Sequence, residues 1–198
     1  MSQVVAETSQ PFALFEEWFA AAGRSEPRDP NAMTLATCSQ DGAPSARMVL
    51  LKGWDQRGFV FYTNLQSRKG AELALNPQAA LLFYWKSLSR QIRIEGTTSP
   101  VSPDEADEYY ASRPRMSRIG AWASDQSRPL AARAELEARV AAFEARYPSE
   151  PVPRPPFWSG FRLTPSRFEF WQEQPFRLHE RRIFVRDGAG WHTGMLYP

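Results

Sequence analysis

Short apolar segments joined by tight-turn pairs run through most of this chain, and they limit its fold more than any other feature. Asp41-Gly42, Arg57-Gly58 and Asp187-Gly188 are such turn pairs, each leading into a predicted strand. These connections are typical of antiparallel strands. Strands are predicted at 32–38, 46–52, 59–63, 79–85, 90–96, 160–163, 167–171 and 181–185, with a last strand at Trp191.

The sequence also predicts helices, one before the first strand and the others between strands. Apolar residues at helical spacing predict a helix over 11–22 that stops at Gly23, and Ser67 is the expected N-cap of a helix over 68–75. Ser102 begins a complete helix-start signature, and the Ala-, Glu- and Arg-rich segment 130–147 predicts the longest helix. Five prolines between Pro148 and Pro156 then form a stiff connector.

This order indicates an α+β chain whose antiparallel strands close into a barrel with peripheral helices. Its 198 residues suit one domain, predicted over 11–198, after a disordered N-terminal arm over 1–10. The arm has no basic region followed by an apolar run, so no signal peptide is expected.

Composition excludes several functions. The net charge is +2, from 24 basic and 22 acidic residues, which predicts no broad surface for nucleic acid. Cys38 is a lone cysteine and only His179 and His192 are histidines, so neither a disulfide framework nor a metal site is expected. No apolar run reaches the roughly 18 residues of a membrane span. We therefore expect a soluble protein in the reducing cytoplasm.

Several catalytic and cofactor motifs are missing from the sequence. It contains no dinucleotide fingerprint, no nucleophile elbow and no carboxylate pair on one element.

Basic side chains interrupt strand segments that are otherwise apolar. Strand alternation can simply direct Arg90 and Arg93 to water. Arg47 and Lys52 lie five residues apart, so their side chains point to opposite faces of a strand. Because a buried, unpaired cation is costly, at least one of these two must be used inside the fold.

Two clusters of hydroxyl and cationic residues suit phosphate groups. Ser67-Arg68-Lys69 places a hydroxyl, two cations and free backbone N–H groups at a helix N-terminus, where anions bind. The alternative is an exposed first turn that happens to carry basic residues. The segment 109–117, expected to be a helix end followed by a loop, offers a second set of donors, with tyrosine, arginine and serine side chains. Two such clusters on one small domain indicate two phosphorylated ligands bound together.

Arg177 and His179 lie two residues apart, so an extended segment would present both on one face. Such a pair can orient an oxygen or nitrogen atom of a ligand and tune its protonation. The alternative is a structural histidine. Trp158 and Trp171 could each cover a planar ring or belong to the core.

Together these segments resemble the pyridoxamine 5′-phosphate oxidases, from about residue 12 to residue 198. The similarity is carried by Arg-Met-Val-Leu-Leu-Lys at 47–52 and by the segments 61–69, 90–91, 112–115, 119–127, 157–162, 169–172 and 177–179. The resemblance implies an FMN-binding split barrel that forms a homodimer with the flavin at the subunit interface. It also implies oxidation of pyridoxamine or pyridoxine 5′-phosphate by oxygen, through hydride transfer to the flavin, to pyridoxal 5′-phosphate and hydrogen peroxide.

The resemblance also implies the site residues. FMN contacts are expected at Arg47, Met48, Val49, Leu50, Leu51, Lys52, Tyr62, Thr63, Arg68, Lys69, Gln91, Gln126, Ser127, Trp171 and Arg181. Contacts to the substrate phosphate are expected at Lys52, Tyr109, Arg113 and Ser117, and contacts to its ring at Arg177, Leu178 and His179. Arg177 and His179 would flank the reacting carbon as the catalytic residues.

The ends of the chain depart from the family pattern. Members often carry a basic, Tyr-containing N-terminal arm that folds over the substrate, whereas residues 1–10 contain neither Arg nor Tyr. The family commonly ends in Arg-Leu-x-Pro, whereas this chain ends in Met-Leu-Tyr-Pro at 195–198.

Two alternatives remain open at this point. A flavin oxidase of the phenazine pathway would act on an unphosphorylated ring, and would not need the phosphate contacts Lys52, Arg113 and Ser117. A non-catalytic flavin or vitamer binder on the same barrel would not need both Arg177 and His179.

Overall fold

The computed structural model of the protein describes residues 10–149 and 151–198. Residues 1–9 of the expected arm lie outside this range. The described helices are α1 (Gln10–Ser25), α2 (Arg68–Leu75), α3 (Pro103–Ser112), α4 (Arg115–Ala123) and α5 (Arg133–Arg146). The described strands are β1 (Ala32–Cys38), β2 (Pro44–Leu50), β3 (Gly53–Asp55), β4 (Gly58–Asn64), β5 (Gln78–Trp85), β6 (Arg90–Pro100), β7 (Trp158–Gln172), β8 (Glu180–Asp187) and β9 (Gly190–Met195).

The strands pair antiparallel in one curled sheet, in the order β2-β1-β5-β6-β7-β4-β3, and β8 joins β7 to β9. Strand β7 is long enough to pair with β4 along its first half and with β8 along its second half. At Gly96 a register shift bends β6, and a Cβ there would lie 2.1 Å from the Thr164 carbonyl oxygen. The predicted α+β class, with an antiparallel sheet and peripheral helices, is confirmed.

The core is aromatic and is centred on α1. Phe12, Phe15 and Trp18 are buried on one face of this helix, as their helical spacing predicts. Phe15 meets Phe59 of β4 edge to face at 4.9 Å, and Trp18 meets Phe170 at 5.3 Å in the same way. Such pairs stabilise a core by about 1 kcal/mol beyond the area they bury. Helix α1 therefore fills the curl of the sheet.

Two helix predictions are wrong in detail. Gly23 does not end α1, which continues to Ser25, because one helical Gly costs only about 1 kcal/mol and the buried face of α1 outweighs it. The segment 130–147 does not hold the longest helix: α5 has 14 residues and α1 has 16. Since α5 buries none of its residues, no packing extends it toward Leu130.

Other elements also escaped prediction, including the short strand β3. The segment after Pro114, expected to be a loop, forms α4, and the strands expected at 160–163 and 167–171 are one strand, β7. β7 continues through Pro165 because this residue pairs with Gly96 at the register shift, where a missing N–H is tolerated. None of the described helices has the length and apolar character needed to cross a bilayer.

Candidate active site

The turn between β4 and α2 is organised by Ser67, the predicted N-cap. Its Oγ accepts a hydrogen bond from the Gly70 N–H at 3.3 Å and donates one to the Asn64 carbonyl at 2.7 Å. Gly70 has to be glycine, because a Cβ would lie 2.3 Å from the Leu65 carbonyl oxygen. The start of α2 is thus held against the end of β4, which fixes the position of Lys69.

Lys69 is a buried cation with neutral partners. Its Nζ donates to Thr63 Oγ1 at 3.0 Å, to Ser67 Oγ at 3.1 Å and to Gln126 Oε1 at 2.7 Å. Burial, and after it the charge of Arg47, together lower the pKa of Lys69 from 10.5 to about 8. No carboxylate in the described part of the chain is bonded to it, so this ammonium group suits an anionic ligand.

Arg68, the residue before Lys69, does not share the hydrogen-bond partners of Lys69. Its Nε donates to Glu72 Oε1 at 2.8 Å, and its side chain is exposed. Arg47 of β2 is directed inward and also contacts Glu72, at 3.3 Å. The prediction that Arg47 or Lys52 is used inside the fold is therefore confirmed for Arg47.

A second cationic cluster forms where α3 ends and α4 begins. The guanidinium of Arg113 lies over the Trp158 ring at 4.8 Å and over the Tyr110 ring at 5.7 Å. Its Nη1 is buried and has no hydrogen-bond partner among the described residues. Burial lowers the pKa of Arg113, although the group remains charged at any physiological pH. An unpaired buried N–H of a cation is again suited to an anion.

Three parallel aromatic rings form a wall beside Arg113. The Tyr62 ring is stacked with Tyr109 at 4.0 Å and with Trp158 at 5.4 Å, and Tyr109 and Trp158 are 6.1 Å apart. A Cβ on Gly160 would lie 2.7 Å from the Tyr62 ring, so Gly160 gives the ring its space. Burial raises the pKa of Tyr62 to about 12.

Helix α4 and its C-cap contribute small residues, of which the sequence analysis had assigned a contact only to Ser117. Ser117, Gly120, Ala121 and Ser124 recur at helical spacing and share one face of the helix. Their small volume leaves room beside α4. The spacing was visible in the sequence, but the segment after Pro114 was interpreted as a loop.

These elements enclose one cavity of about 750 Å³. Of the predicted site residues it is lined by Met48, Val49, Leu50, Lys52, Tyr62, Thr63, Lys69, Tyr109, Arg113, Ser117 and Gln126. It is also lined by residues that were not assigned a contact, namely Asn64, Ser112, Pro114, Gly120, Ala121, Ser124 and Trp158. Both predicted phosphate clusters therefore contribute cations to a single cavity.

Four predicted contacts lie outside the cavity lining although they are near it in sequence. Leu51 is buried in the core, and Arg47 and Arg68 are bonded to Glu72. Ser127 adopts a left-handed backbone conformation, with φ of 71°, and lines a separate groove of about 170 Å³ beside α5.

A second group of predicted residues lies on the far strands. Gln91, Trp171 and Arg181 are paired in register across β6, β7 and β8. Buried Glu169 holds Arg181 through its Nε at 2.7 Å, and the His179 ring lies 4.7 Å from the Trp171 ring. We call these residues, with the segment 177–179, the strand group. None of them lines the cavity.

Arg177 and His179 are not on an extended segment, so the argument from their spacing is wrong. Residues 175–177 form a tight turn in which Phe176 and Arg177 are both left-handed, with φ of 57° and 63°. The turn reverses the chain just before β8, and it leaves Leu178 exposed. His179 Nδ1 accepts a hydrogen bond from the Gln174 N–H at 3.3 Å.

Two family models match most of this chain. Residues 19–147 match the family model described as pyridoxamine 5′-phosphate oxidase. The chain belongs to this family. Residues 158–198, which include β7 to β9, match the model described as the pyridoxine 5′-phosphate oxidase C-terminal dimerisation region. The strand group is thus carried largely by the region that the family uses for dimerisation.

Relatives within the family are similar over nearly the whole chain. A pyridoxine/pyridoxamine 5′-phosphate oxidase of Sphingopyxis alaskensis is 62% identical over 96% of this chain and 88% of its own length. One of Rhodospirillum rubrum is 60% identical over 97% and 98%. The prediction of an oxidoreductase of this family is confirmed.

Solved structures show the same fold. PhzG from Burkholderia lata, in complex with tetrahydrophenazine-1-carboxylic acid, has a TM-score of 0.88 at 35% identity and covers 100% of this chain and 99% of its own. A pyridoxamine 5′-phosphate oxidase-related, FMN-binding protein from Nostoc punctiforme has a TM-score of 0.75 at 17% identity over the full length of both chains. The predicted split barrel is confirmed.

Proposed function

We propose that this protein uses FMN and oxygen to oxidise pyridoxamine or pyridoxine 5′-phosphate to pyridoxal 5′-phosphate, with release of hydrogen peroxide. The observation that carries the proposal is the single cavity lined by both Lys69 and Arg113. Each cation is buried or half-buried, and neither has a bonded carboxylate among the described residues. The names of the relatives support the substrate class.

The residues present fit a flavin that ends in one phosphate. Lys69 offers a buried ammonium group at the start of α2, and a volume of about 750 Å³ is within the usual range for cofactor sites. When bound, FMN supplies the redox chemistry of the reaction. In this proposal Lys69 binds its phosphate together with Arg47 and Arg68, and residues 48–51 lie along the ring system. Tyr62, Thr63, Gln126 and Ser127 complete this set.

The substrate phosphate is assigned to the second cluster. Arg113 would use its unpaired Nη1 for a charge-assisted hydrogen bond, with Lys52, Tyr109 and Ser117 as further donors. Trp158 covers one face of the Arg113 guanidinium, which restricts its movement. The positions of these donors orient the substrate and exclude water from its phosphate.

The strand group completes the site only if a second copy of the chain supplies it. Gln91, Trp171 and Arg181 do not line the cavity of their own chain, and Trp171 and Arg181 belong to the region that matches the dimerisation model. In a two-fold dimer each copy gives and receives the same surface. We therefore assign Arg177 and His179 to the cavity of the partner subunit, where they orient the reacting carbon of the substrate.

Mixed dimers test this shared site. At a substrate concentration near the wild-type Michaelis constant, Arg113→Ala and Arg177→Ala should each abolish most of the turnover when present in both subunits. A dimer with one subunit of each kind keeps one intact cavity, so random mixing should restore activity in about a quarter of all sites. The variants would be co-expressed with different affinity tags, and peroxide release would be measured after each purification step.

The control mixes Arg113→Ala with Lys52→Ala, which belong to the same cavity. Neither site of that mixed dimer is intact, so no activity should return. Equal activity in the two mixtures, or none in either despite dimers of both kinds, would contradict a shared site.

The charge of Lys69 makes a further prediction about pH. Its pKa of about 8 means that the ammonium form, which attracts phosphate, prevails below pH 8 and is lost above it. The affinity for FMN should be constant from pH 7 to about pH 8 and then fall by up to about ten-fold per pH unit. Fluorescence titrations with FMN would measure this slope, with riboflavin as the ligand that lacks the phosphate.

Lys69→Arg is the matched variant for that experiment. A guanidinium stays charged throughout this range, so its FMN affinity should show no break near pH 8. An identical break in the variant would assign the titration to another group.

The function itself is tested by turnover. Protein loaded with FMN should release hydrogen peroxide with pyridoxine 5′-phosphate and much less with unphosphorylated pyridoxine. The similarity to PhzG supports a second candidate function, oxidation of a phenazine precursor. Tetrahydrophenazine-1-carboxylic acid is therefore assayed as the alternative substrate. Turnover of this compound alone would replace the proposal. Flavin binding without turnover of any substrate would indicate a binder.

A further inference from the structure

Glu72 is a buried acidic residue of α2, four positions after Arg68. It lies on the inward face of the helix, and only 7% of its side chain is exposed. A buried carboxylate is costly unless several groups pair with it. The partners of Glu72 therefore indicate what it is for.

Both carboxylate oxygens accept hydrogen bonds. Oε2 accepts hydrogen bonds from Thr37 Oγ1 at 2.5 Å, Ser45 Oγ at 2.6 Å and Arg47 Nη2 at 3.3 Å. Oε1 accepts one from Arg68 Nε at 2.8 Å. Burial alone would raise the pKa of Glu72, but the hydrogen bonds from Ser45, Thr37 and Arg68 outweigh it and lower the pKa to about 2. The group is ionised at every pH at which the protein would work.

The same hydroxyls hold Arg47. Its Nη1 donates to Thr37 Oγ1 at 2.5 Å, and its Nη2 donates to Ser45 Oγ at 2.5 Å. Each hydroxyl thus accepts from Arg47 and donates to Glu72, so the arginine is fixed by a closed network. The carboxylate ties β1, β2 and α2 together at the point where the cations meet.

This network is electrostatically connected to the cavity. Arg47 contacts Glu72, which follows Lys69 by three residues on α2, and its charge contributes to the lowered pKa of Lys69. Arg68 is the residue before Lys69. Three cations in one small volume repel each other, and the single carboxylate of Glu72 contacts two of them directly.

We infer that Glu72 is a positioning residue for the phosphate of the flavin, acting through Arg47 and Arg68. This inference rests on the proposed function. It competes with two simpler roles. A carboxylate that only balances charge would oppose the phosphate, so its removal would tighten binding. A carboxylate that only holds α2 in the fold would matter equally for a flavin with or without a phosphate.

Glu72→Gln separates these roles, because it keeps the shape of the side chain and removes its charge. We expect the dissociation constant of FMN to rise by about ten-fold, since two charge-assisted hydrogen bonds are weakened. The constant of riboflavin, which has no phosphate, should change by less than about two-fold. Fluorescence titration of the apoprotein dimer with each flavin gives both numbers, and a thermal melt checks the fold.

Two further variants keep the test decisive. Ser45→Ala removes one hydroxyl of the network and should show the same asymmetry between FMN and riboflavin at smaller size, even if Glu72→Gln fails to fold. Glu137→Gln is the control: it breaks the exposed ion pair with Arg133 on α5, which has the same spacing as the Arg68–Glu72 pair, and should change neither constant.

The outcomes are distinct. Unchanged or tighter FMN binding, or equal weakening of both flavins, overturns the role of Glu72. Wild-type protein that fails to bind FMN overturns the proposed function instead.

Discussion

Replacing Lys69 by Met is expected to weaken FMN binding by about a hundred-fold. The ammonium group is buried and its three hydrogen-bond acceptors are neutral, so a bound phosphate would be its only close anionic partner among the described groups. Methionine has a similar length and no charge. Isothermal titration of the apoprotein with FMN measures the loss.

Lys69→Met should not lower the stability of the apoprotein, although it weakens FMN binding. In the apoprotein the pKa of Lys69 is lower than in the unfolded chain, so the charged form is disfavoured by folding. The unfolded chain then binds more protons, and the free energy of unfolding should rise as the pH increases from about 8 toward 10.5. Lys69→Met removes this dependence, and its apoprotein should melt no lower than the wild type at pH 7. A variant that unfolds at pH 7 would mean that the hydrogen bonds of Lys69, rather than its charge, dominate.

Replacing Arg113 by Ala is expected to raise the Michaelis constant for pyridoxine 5′-phosphate by about ten- to a hundred-fold. Its unpaired, buried Nη1 and its contact with the Trp158 ring both indicate an arginine prepared for an anion. The affinity for FMN should stay the same, because the flavin phosphate is assigned to Lys69. Steady-state kinetics and flavin titration on one preparation give both values.

Two comparisons sharpen that experiment. Arg113→Lys keeps the positive charge but loses the paired N–H donors of the guanidinium. It should recover part of the affinity for pyridoxine 5′-phosphate that Arg113→Ala loses. The Michaelis constant for unphosphorylated pyridoxine should be the same in all three proteins. Loss of FMN from Arg113→Ala would reverse the assignment of the two phosphate positions.

Local chemistry explains why much of the secondary structure was predictable. The Ser67 and Ser102 caps, and the turns at Asp41-Gly42 and Asp187-Gly188, depend on side chains and dihedral angles within a few residues. The bounds of β1 and α2 were accordingly predicted without error. The continuity of β7 through Pro165 was not, since it depends on Gly96 in another strand.

By itself, the sequence determined the residue types of the site. Lys69 at a capped helix start and Arg113 among hydroxyls are local patterns that indicate phosphate chemistry wherever they fold. Only the tertiary structure decided that both line one cavity, and that Trp158 covers Arg113 there. It also put Gln91, Trp171 and Arg181 on strands away from that cavity. The physical reason is that sheet register pairs residues separated by tens of positions, which no local pattern encodes.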